Sequence, residues 1–178
     1  MNYYSWIIDR ARAMFPKMQD EVFDLFLRPL ITTDMGWPYS SVDDVLISGS
    51  PWYCVLHPFS LRQLAEMGWT LEDCVLDRNT LAESCVQDLE LVWQNYQGRL
   101  PRNMPYDYDD CRSRTQKQLD FIRENGRPSA MPVVAADYNG KLKLFDGNHR
   151  IIAAWQSGFA HPIFKVWKGS AAKGRRIA

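Results

Sequence analysis

Near the C-terminal end of this chain, five consecutive residues combine groups that can bind and transform phosphates: Asp146, Gly147, Asn148, His149 and Arg150. They lie between Lys141–Phe145, which alternates polar and apolar residues as a strand does, and the helix-like run Ile151–Gln156. The start of a helix exposes unpaired backbone N–H groups at the positive end of the helix dipole. His149 and Arg150 add positive charge where a helix ordinarily favours acids. A bound anion, above all a phosphate, would balance this arrangement.

The pentapeptide offers a chemical role for each of its residues. Gly147 lets the backbone approach a ligand closely or adopt a positive φ. Asn148 can cap the helix, and the backbone amides from Asn148 to Ile151 can point at one phosphate. Arg150 can grip two phosphate oxygens, and His149 can carry or donate a proton near neutral pH.

Asp146 completes this set, because its carboxylate can bind a divalent cation or orient His149. The simpler interpretation is a turn at Asp146-Gly147, a cap at Asn148 and two solvated cations. The spacing alone favours function and plain structure about equally. If the site is catalytic, Arg150→Ala and His149→Ala are expected to lose hydrolysis and keep the fold.

The composition predicts an ordinary globular protein. Its 178 residues fit one domain, or one domain with an appendage, and its apolar fraction of 46% suffices for a core. Lys and Arg number 21, as do Asp and Glu, so no overall field attracts nucleic acid. Contact with DNA would require a local patch, and a solvated tail is the favoured alternative for the best candidate: Lys165, Lys168, Lys173, Arg175 and Arg176.

Cysteine spacing and the N-terminus limit the remaining classes. The four cysteines contain no Cys-x-x-Cys pair and the three histidines are scattered, so reduced thiols are expected rather than a zinc site. The chain begins without a basic start followed by an apolar stretch, and no run is long enough to span a membrane. These features predict a cytoplasmic protein without a membrane span.

The first hundred residues read as mainly helical. The pattern predicts helices over Tyr3–Phe15, Asp20–Leu27, Leu61–Met67 and Thr80–Gly98, and a short strand over Trp52–Leu56. Ser60 is predicted to cap the third helix and Gly68 to close it, with Thr70 capping a short turn. Leu100–Asp110 is predicted to be a loop and an internal boundary.

The remainder alternates helix and strand. Arg112–Glu124 is predicted to be a helix that stops at Gly126. Strands are predicted over Met131–Ala136, Lys141–Phe145 and Ile163–Trp167, with the Asn139-Gly140 pair as a hairpin turn between the first two. Gly158 should close the helix that follows the pentapeptide.

Acids and aromatics in the predicted loop are secondary candidates. The cluster Asp107–Asp110 could bind a metal in the same cleft, although capping the next helix is favoured. Arg112 and Arg114 could reach a phosphate, although a solvated helix face is favoured. Tyr106 and Tyr108 are placed to stack on a base.

Several segments together resemble the core of the ParB/sulfiredoxin superfamily. They are the helix end Arg123-Glu124-Asn125-Gly126, the strand Met131-Pro132-Val133-Val134, and the box from Phe145 through Asp146-Gly147-Asn148-His149-Arg150 to Ala154. The resemblance covers roughly residues 100 to 168. It implies a small mixed β-sheet core and does not explain the first hundred residues. Together with their helical pattern, it predicts an α+β fold in which a helical N-terminal half packs on that core. The predicted divisions are a helical region 1–99, the core 100–168 and a basic tail 169–178, forming one compact unit.

The resemblance also implies a nucleotide-phosphate site. Gly147, Asn148, His149 and Arg150 would hold phosphates, and Asp146 would lie beside a metal or the reacting group. Two departures restrict the function. Sulfiredoxins carry a reactive cysteine where this chain has Asn148, and ParB partition proteins continue into a DNA-reading domain that does not follow this core.

The layout resembles, more narrowly, the oncogenic-suppression (Osa) fertility-inhibition proteins of conjugative elements. That likeness implies ATP hydrolysis with Mg²⁺ and metal-dependent DNA cleavage, directed at DNA in transit through a type IV secretion channel. Asp146, His149 and Arg150 would be catalytic. The competing hypothesis is a non-catalytic nucleotide- or protein-binding module that docks on a secretion coupling protein or a DNA-partition partner.

Overall fold

The fold combines five helices with one small sheet in the part of the chain described by the computed structural model, which is residues 8–9, 12–13, 15–28, 59, 61–99 and 108–171. The helices are α1 (Asp20–Val22, continued as a π-helix over Phe23–Leu27), α2 (Leu61–Glu66), α3 (Glu83–Tyr96), α4 (Tyr108–Asn125) and α5 (Asn148–Gln156). The strands are β1 (Gly68–Val75), β2 (Val133–Tyr138), β3 (Lys141–Asp146) and β4 (Ile163–Ser170), in the sheet order β1-β4-β2-β3. The predicted α+β class is confirmed. No helix among these residues is long and apolar enough to cross a membrane.

The chain forms two compact units. One comprises Met1–Thr70 with Lys168–Ala178, and the other comprises Leu71–Trp167. The second unit therefore also holds residues 71–99, which the sequence assigns to the helical N-terminal region. In the first unit, Gln19 donates through Nε2 to the carbonyl of Trp69 at 2.8 Å. Its apolar side chains are buried at Phe15, Met18, Val22, Phe23, Phe26, Leu27, Phe59, Leu64, Met67 and Trp69.

The second unit has its core between helices and strands. The helices α3, α4 and α5 pack on one another. In α5 the run Ile151–Ala154 is fully buried, and its two alanines let neighbouring elements approach closely. The core is made of Leu76, Leu81, Ala82, Cys85, Leu89, Ile122, Val133, Ala135, Leu142, Leu144, Ile151, Ile152, Ala153, Ala154, Phe164 and Val166.

The β2–β3 hairpin sets the position of the pentapeptide. Asn139 and Gly140 have φ values of 50° and 77°, the left-handed pair that a tight two-residue hairpin turn requires, so this prediction is confirmed. The antiparallel register pairs Ala135 with Leu144, and a bulge between Val134 and Ala135 makes Val134 the partner of Asp146. The bulge thus aligns the end of β3 with the start of β2.

Strand β1 is absent from the prediction, which was wrong here. Gly68 does not close a helix and Thr70 does not cap a turn, because Gly68–Val75 is extended beside β4. Glu72 and Asp73 are exposed on this strand, where Asp73 pairs with Lys165 at 2.8 Å. Strand pairing with a distant segment has overridden the local turn signal.

Two helix starts also differ from the prediction. Helix α3 begins at Glu83 rather than Thr80, because the carboxylate of Asp77 accepts the backbone amides of Asn79 and Thr80 and closes a separate turn. Helix α4 begins at Tyr108 rather than Arg112, so the last residues of the predicted loop are helical.

The remaining predictions for secondary structure divide into those confirmed and those outside the described residues. Helix ends at Gly98, Gly126 and Gly158 are confirmed, each with a positive φ. Cys74, Cys85 and Cys111 form no disulfide with any described residue. Outside the described residues lie Trp52–Leu56, Cys54, Ser60, Tyr106, Asp107, Lys173, Arg175 and Arg176.

Candidate functional site: the cleft at the start of helix α5

Gly147 links β3 to α5 with a backbone that other residues adopt only with strain. Its φ is 109°, and it occupies the N-cap position of α5. Asn148 is therefore the first residue of the helix and not its cap, which corrects the prediction. A Cβ atom on residue 147 would lie 2.4 Å from Cγ1 of Val133, so β2 passes too close to admit any side chain here.

Fewer backbone amides are available to a ligand at this helix start than the sequence predicts. The backbone N–H groups of Arg150 and Ile151 both donate to the carbonyl of Gly147 at 3.0 Å. The amides of Asn148 and His149 have no hydrogen-bond partner among the described residues. A phosphate could therefore accept from two backbone amides rather than four.

Arg150 is directed into the protein and not toward a ligand. Its Nη1 donates to the carbonyl oxygens of Met131 and Pro132, at 2.6 and 2.9 Å, and its Nη2 donates to Oδ2 of Asp146 at 2.5 Å. The residue is only 8% exposed. Its guanidinium thus joins the start of β2, the end of β3 and the first turn of α5.

His149 is held by a buried threonine of α4. Its Nδ1 lies 2.9 Å from Oγ1 of Thr115, which is fully buried and which donates to the carbonyl of Cys111 at 3.0 Å. Burial, reinforced by the positive charges of Arg114 and Arg150 and opposed by Asp110, lowers the pKa of His149 from 6.5 to about 4. The imidazole is therefore neutral at pH 7.

This lowered pKa predicts a loss of stability in mild acid. Between pH 6.5 and about 4 the unfolded chain binds a proton at residue 149 and the folded chain does not, so stability falls as the pH falls. At about 1.4 kcal/mol per pH unit the total is about 3 kcal/mol. Urea unfolding of the wild type and of His149→Gln at several pH values measures it. The stability difference between them should shift by this amount from pH 7 to pH 4, and a constant difference would contradict the prediction.

The helix-start cleft, which we define by its lining residues, has a volume of about 200 Å³ and is formed by Arg114, Lys117, Gln118, Asp146, Gly147, Asn148, His149 and Arg150. It gathers the whole predicted pentapeptide and adds three side chains from α4. Arg114 pairs with Asp110, whereas Lys117 is exposed and has no ion-pair partner among the described residues. Lys117 therefore supplies the uncompensated positive charge of this cleft.

Sequence reasoning considered Arg114 but missed Thr115, Lys117 and Gln118. A signal for Thr115 was present. Cys111, Thr115, Leu119 and Ile122 recur at helical spacing on α4, and Thr115 is the hydroxyl in an otherwise apolar or weakly polar stripe. A buried hydroxyl requires a partner, and the partner here is His149.

Few ligand atoms are available to help Asp146 bind a metal ion among the described residues. Oδ2 of Asp146 is bonded to Arg150, which leaves Oδ1 for a cation. No group of three or more histidine, cysteine or acidic side chains that could hold a metal occurs among the described residues. Asp110, from the predicted acidic cluster, pairs with Arg114 and does not line the cleft.

His161, the other described histidine, lies apart from the cleft lining. It is an exposed residue whose Nδ1 lies 2.7 Å from Oδ2 of the buried Asp77. This bond, together with backbone amides, holds the pKa of Asp77 below its usual value against the opposing effect of burial. The pair fastens the turn before α3 and contributes structure.

Comparisons with known proteins add no relative: no family model matches the chain, and neither a curated protein nor a solved structure resembles it significantly. The geometry of the helix-start cleft therefore carries the functional argument.

Proposed function

We propose that this chain is a nucleotide-phosphate-binding enzyme that hydrolyses ATP with Mg²⁺ at the helix-start cleft. One observation carries the proposal. Lys117 and the two unpartnered amides of Asn148 and His149 line one cleft in which the paired Asp146 and Arg150 largely cancel each other's charge. Such a combination favours a multiply charged anion.

The size of the cleft is consistent with phosphates rather than a whole nucleotide. Its volume of about 200 Å³ is below the roughly 300–1,000 Å³ of clefts that enclose drug-sized ligands. The phosphate chain would lie at the helix start with the nucleoside extending outward. Asp146 would hold Mg²⁺ through Oδ1, and the ion would supply further charge neutralisation at the reacting phosphate.

The roles of the pentapeptide follow from its contacts. Gly147 brings the helix start close to β2, and Asn148 and His149 offer amides. Arg150 bonds to the start of β2 and the end of β3, and it affects phosphate binding only by positioning the start of α5. Lys117, which the resemblance did not identify, takes the phosphate-binding role that the resemblance implies for Arg150.

Binding and turnover test this proposal separately. Lys117→Ala should weaken ATP binding by about 1 to 2 kcal/mol, a roughly five- to thirtyfold rise in Kd, because it removes a charge-assisted contact. His149→Asn should bind ATP and release little phosphate. The matched control is Arg127→Ala, which removes an exposed cation that does not line the cleft. Calorimetry with a non-hydrolysable ATP analogue and a phosphate-release assay measure the two steps, and equal losses in Lys117→Ala and Arg127→Ala would refute the site.

The wider role rests on the resemblance rather than on the cleft. We propose metal-dependent DNA cleavage as the same hydrolysis on another phosphate, and inhibition of DNA transfer through a type IV secretion system as the outcome. Plasmid nicking with Mg²⁺, abolished by EDTA and by Lys117→Ala, tests the first. Transfer frequency from donor cells that express wild type or Lys117→Ala tests the second, and equal transfer with and without the wild-type chain would exclude it.

A non-catalytic binding module is the second candidate, and the Asp146–Arg150 contact favours it. Oδ2 of Asp146 is occupied by the buried guanidinium of Arg150, which leaves the carboxylate fewer lone pairs for a metal ion or a water molecule. In this case ATP binds with the same dependence on Lys117 and phosphate release stays at background in the wild type. The cleft would then serve to dock the chain on a nucleotide-bearing secretion or partition partner.

A further inference from the structure

The hydrogen-bond chain behind His149 determines which of its ring nitrogens faces a ligand. The hydroxyl of Thr115 has one hydrogen and lies 3.0 Å from the carbonyl of Cys111, one helical turn earlier. A threonine inside a helix commonly donates to that carbonyl. Oγ1 then faces Nδ1 of His149, at 2.9 Å, with a lone pair and not with a hydrogen.

The ring nitrogen next to this lone pair must therefore carry the hydrogen. A neutral imidazole has one N–H, so a hydrogen on Nδ1 leaves Nε2 with an unprotonated lone pair. No hydrogen bond joins Nε2 to another of the described residues, and His149 lines the helix-start cleft. A fully ionised phosphate oxygen has no hydrogen to offer Nε2, whereas water does.

We infer that Thr115 is a positioning residue that fixes His149 in the Nδ1–H tautomer, so that Nε2 accepts a proton from the water that attacks the bound phosphate. This inference rests on the proposed function. It assigns His149 to the nucleophile, while Lys117 and the helix-start amides are assigned to the phosphates.

The step balances without a further reactant. The water oxygen forms a bond to the terminal phosphorus of ATP, and the bond from that phosphorus to the bridging oxygen breaks. The departing ADP keeps the bonding electron pair, and the water proton moves to Nε2. Nδ1 keeps its hydrogen, which stays bonded to Oγ1 of Thr115 throughout. Nε2 of the imidazolium later releases its proton to solvent.

The anionic substrate assists this transfer. The positive charges of Arg114 and Arg150 oppose protonation of His149 in the free protein. Bound phosphates offset that repulsion, so the imidazole becomes more basic when the substrate is present.

The tautomer can be measured without any nucleotide. Long-range proton–nitrogen correlation spectra of ¹⁵N-histidine-labelled protein at pH 7, with His149 assigned through His149→Gln, should show hydrogen on Nδ1 and a bare Nε2. Thr115→Ser should keep this pattern, and Thr115→Val, nearly equal in shape, should lose it. Hydrogen on Nε2 in the wild type would overturn the inference.

Kinetics then test the consequence for catalysis. Thr115→Val should lower kcat on the order of ten- to a hundredfold with little change in KM for ATP, and Thr115→Ser should restore most of it. Ser113→Ala removes an exposed hydroxyl from the same helix and should match wild type. Unchanged kcat in a folded Thr115→Val protein would overturn the positioning role.

The two proposals fail in distinguishable ways. If the wild type lacks ATPase activity but carries hydrogen on Nδ1, ATP hydrolysis and the proton-transfer step are refuted. The positioning of His149 by Thr115 is then retained. If the wild type hydrolyses ATP but carries hydrogen on Nε2, only the positioning of His149 by Thr115 is refuted.

Discussion

Arg150→Met unfolds with about 3 kcal/mol less stability than wild type. The substitution keeps most of the aliphatic stem and removes the donors to two backbone carbonyls, those of Met131 and Pro132. Hydrogen bonds that involve a charged group contribute about 1.5 to 3 kcal/mol each, and these two are only partly buried, so the lower end of that range applies. The ion pair adds less, because water reaches the Asp146 side chain, which is 44% exposed.

Urea unfolding followed by circular dichroism measures this loss, with Arg127→Met as an exposed arginine control. Asp146→Asn separates the contributions, because it weakens the ion pair and leaves both carbonyl contacts in place. It should cost far less than Arg150→Met. A similar cost for the two variants would show that the ion pair, and not the carbonyl contacts, dominates. The sequence-based expectation that removing Arg150 keeps the fold is replaced by this one.

Gly147→Ala destabilises the fold by about 3 to 4 kcal/mol. About 1 to 2 kcal/mol comes from a positive φ in a residue with a Cβ, and a further 1 to 3 kcal/mol from overlap with Val133. Gly158→Ala isolates the first contribution, because Gly158 has a φ of 91° and open space around its Cβ position. It should cost about 1 to 2 kcal/mol.

Removal of the opposing side chain tests the overlap directly. Val133→Ala alone leaves a void in the core and destabilises the protein, since Val133 is fully buried. The double variant Gly147→Ala/Val133→Ala should therefore cost less than the sum of the two single variants. Exact additivity, measured by urea unfolding, would show that the two side chains do not collide.

Elements encoded by adjacent residues could be predicted from the sequence. The Asn139-Gly140 turn and the helix end at Gly158 depend on φ values that few residue types adopt. Strand β1 could not be found in the same way, since Gly68–Val75 is extended only through its pairing with β4, about ninety residues later in the chain.

The candidate site also combines features that follow from adjacent residues with features that depend on distant ones. The sequence located the strand-to-helix junction, because the change of period around Gly147 is local. It could not show that Arg150 turns inward, since its partners at Met131 and Pro132 are brought there by the β2–β3 hairpin. The link between Thr115 and His149 spans 34 residues and depends on how α4 packs against α5.

The inward direction of Arg150 affects how defective alleles from a genetic screen of this chain should be interpreted. Alleles at position 150 would score as defective because the protein is depleted in the cell, since a stability loss of 1 to 2 kcal/mol can already change abundance several-fold. Alleles at position 117 would score as defective at normal abundance. A screen that records protein level beside phenotype would therefore separate the residues that build this cleft from those that use it.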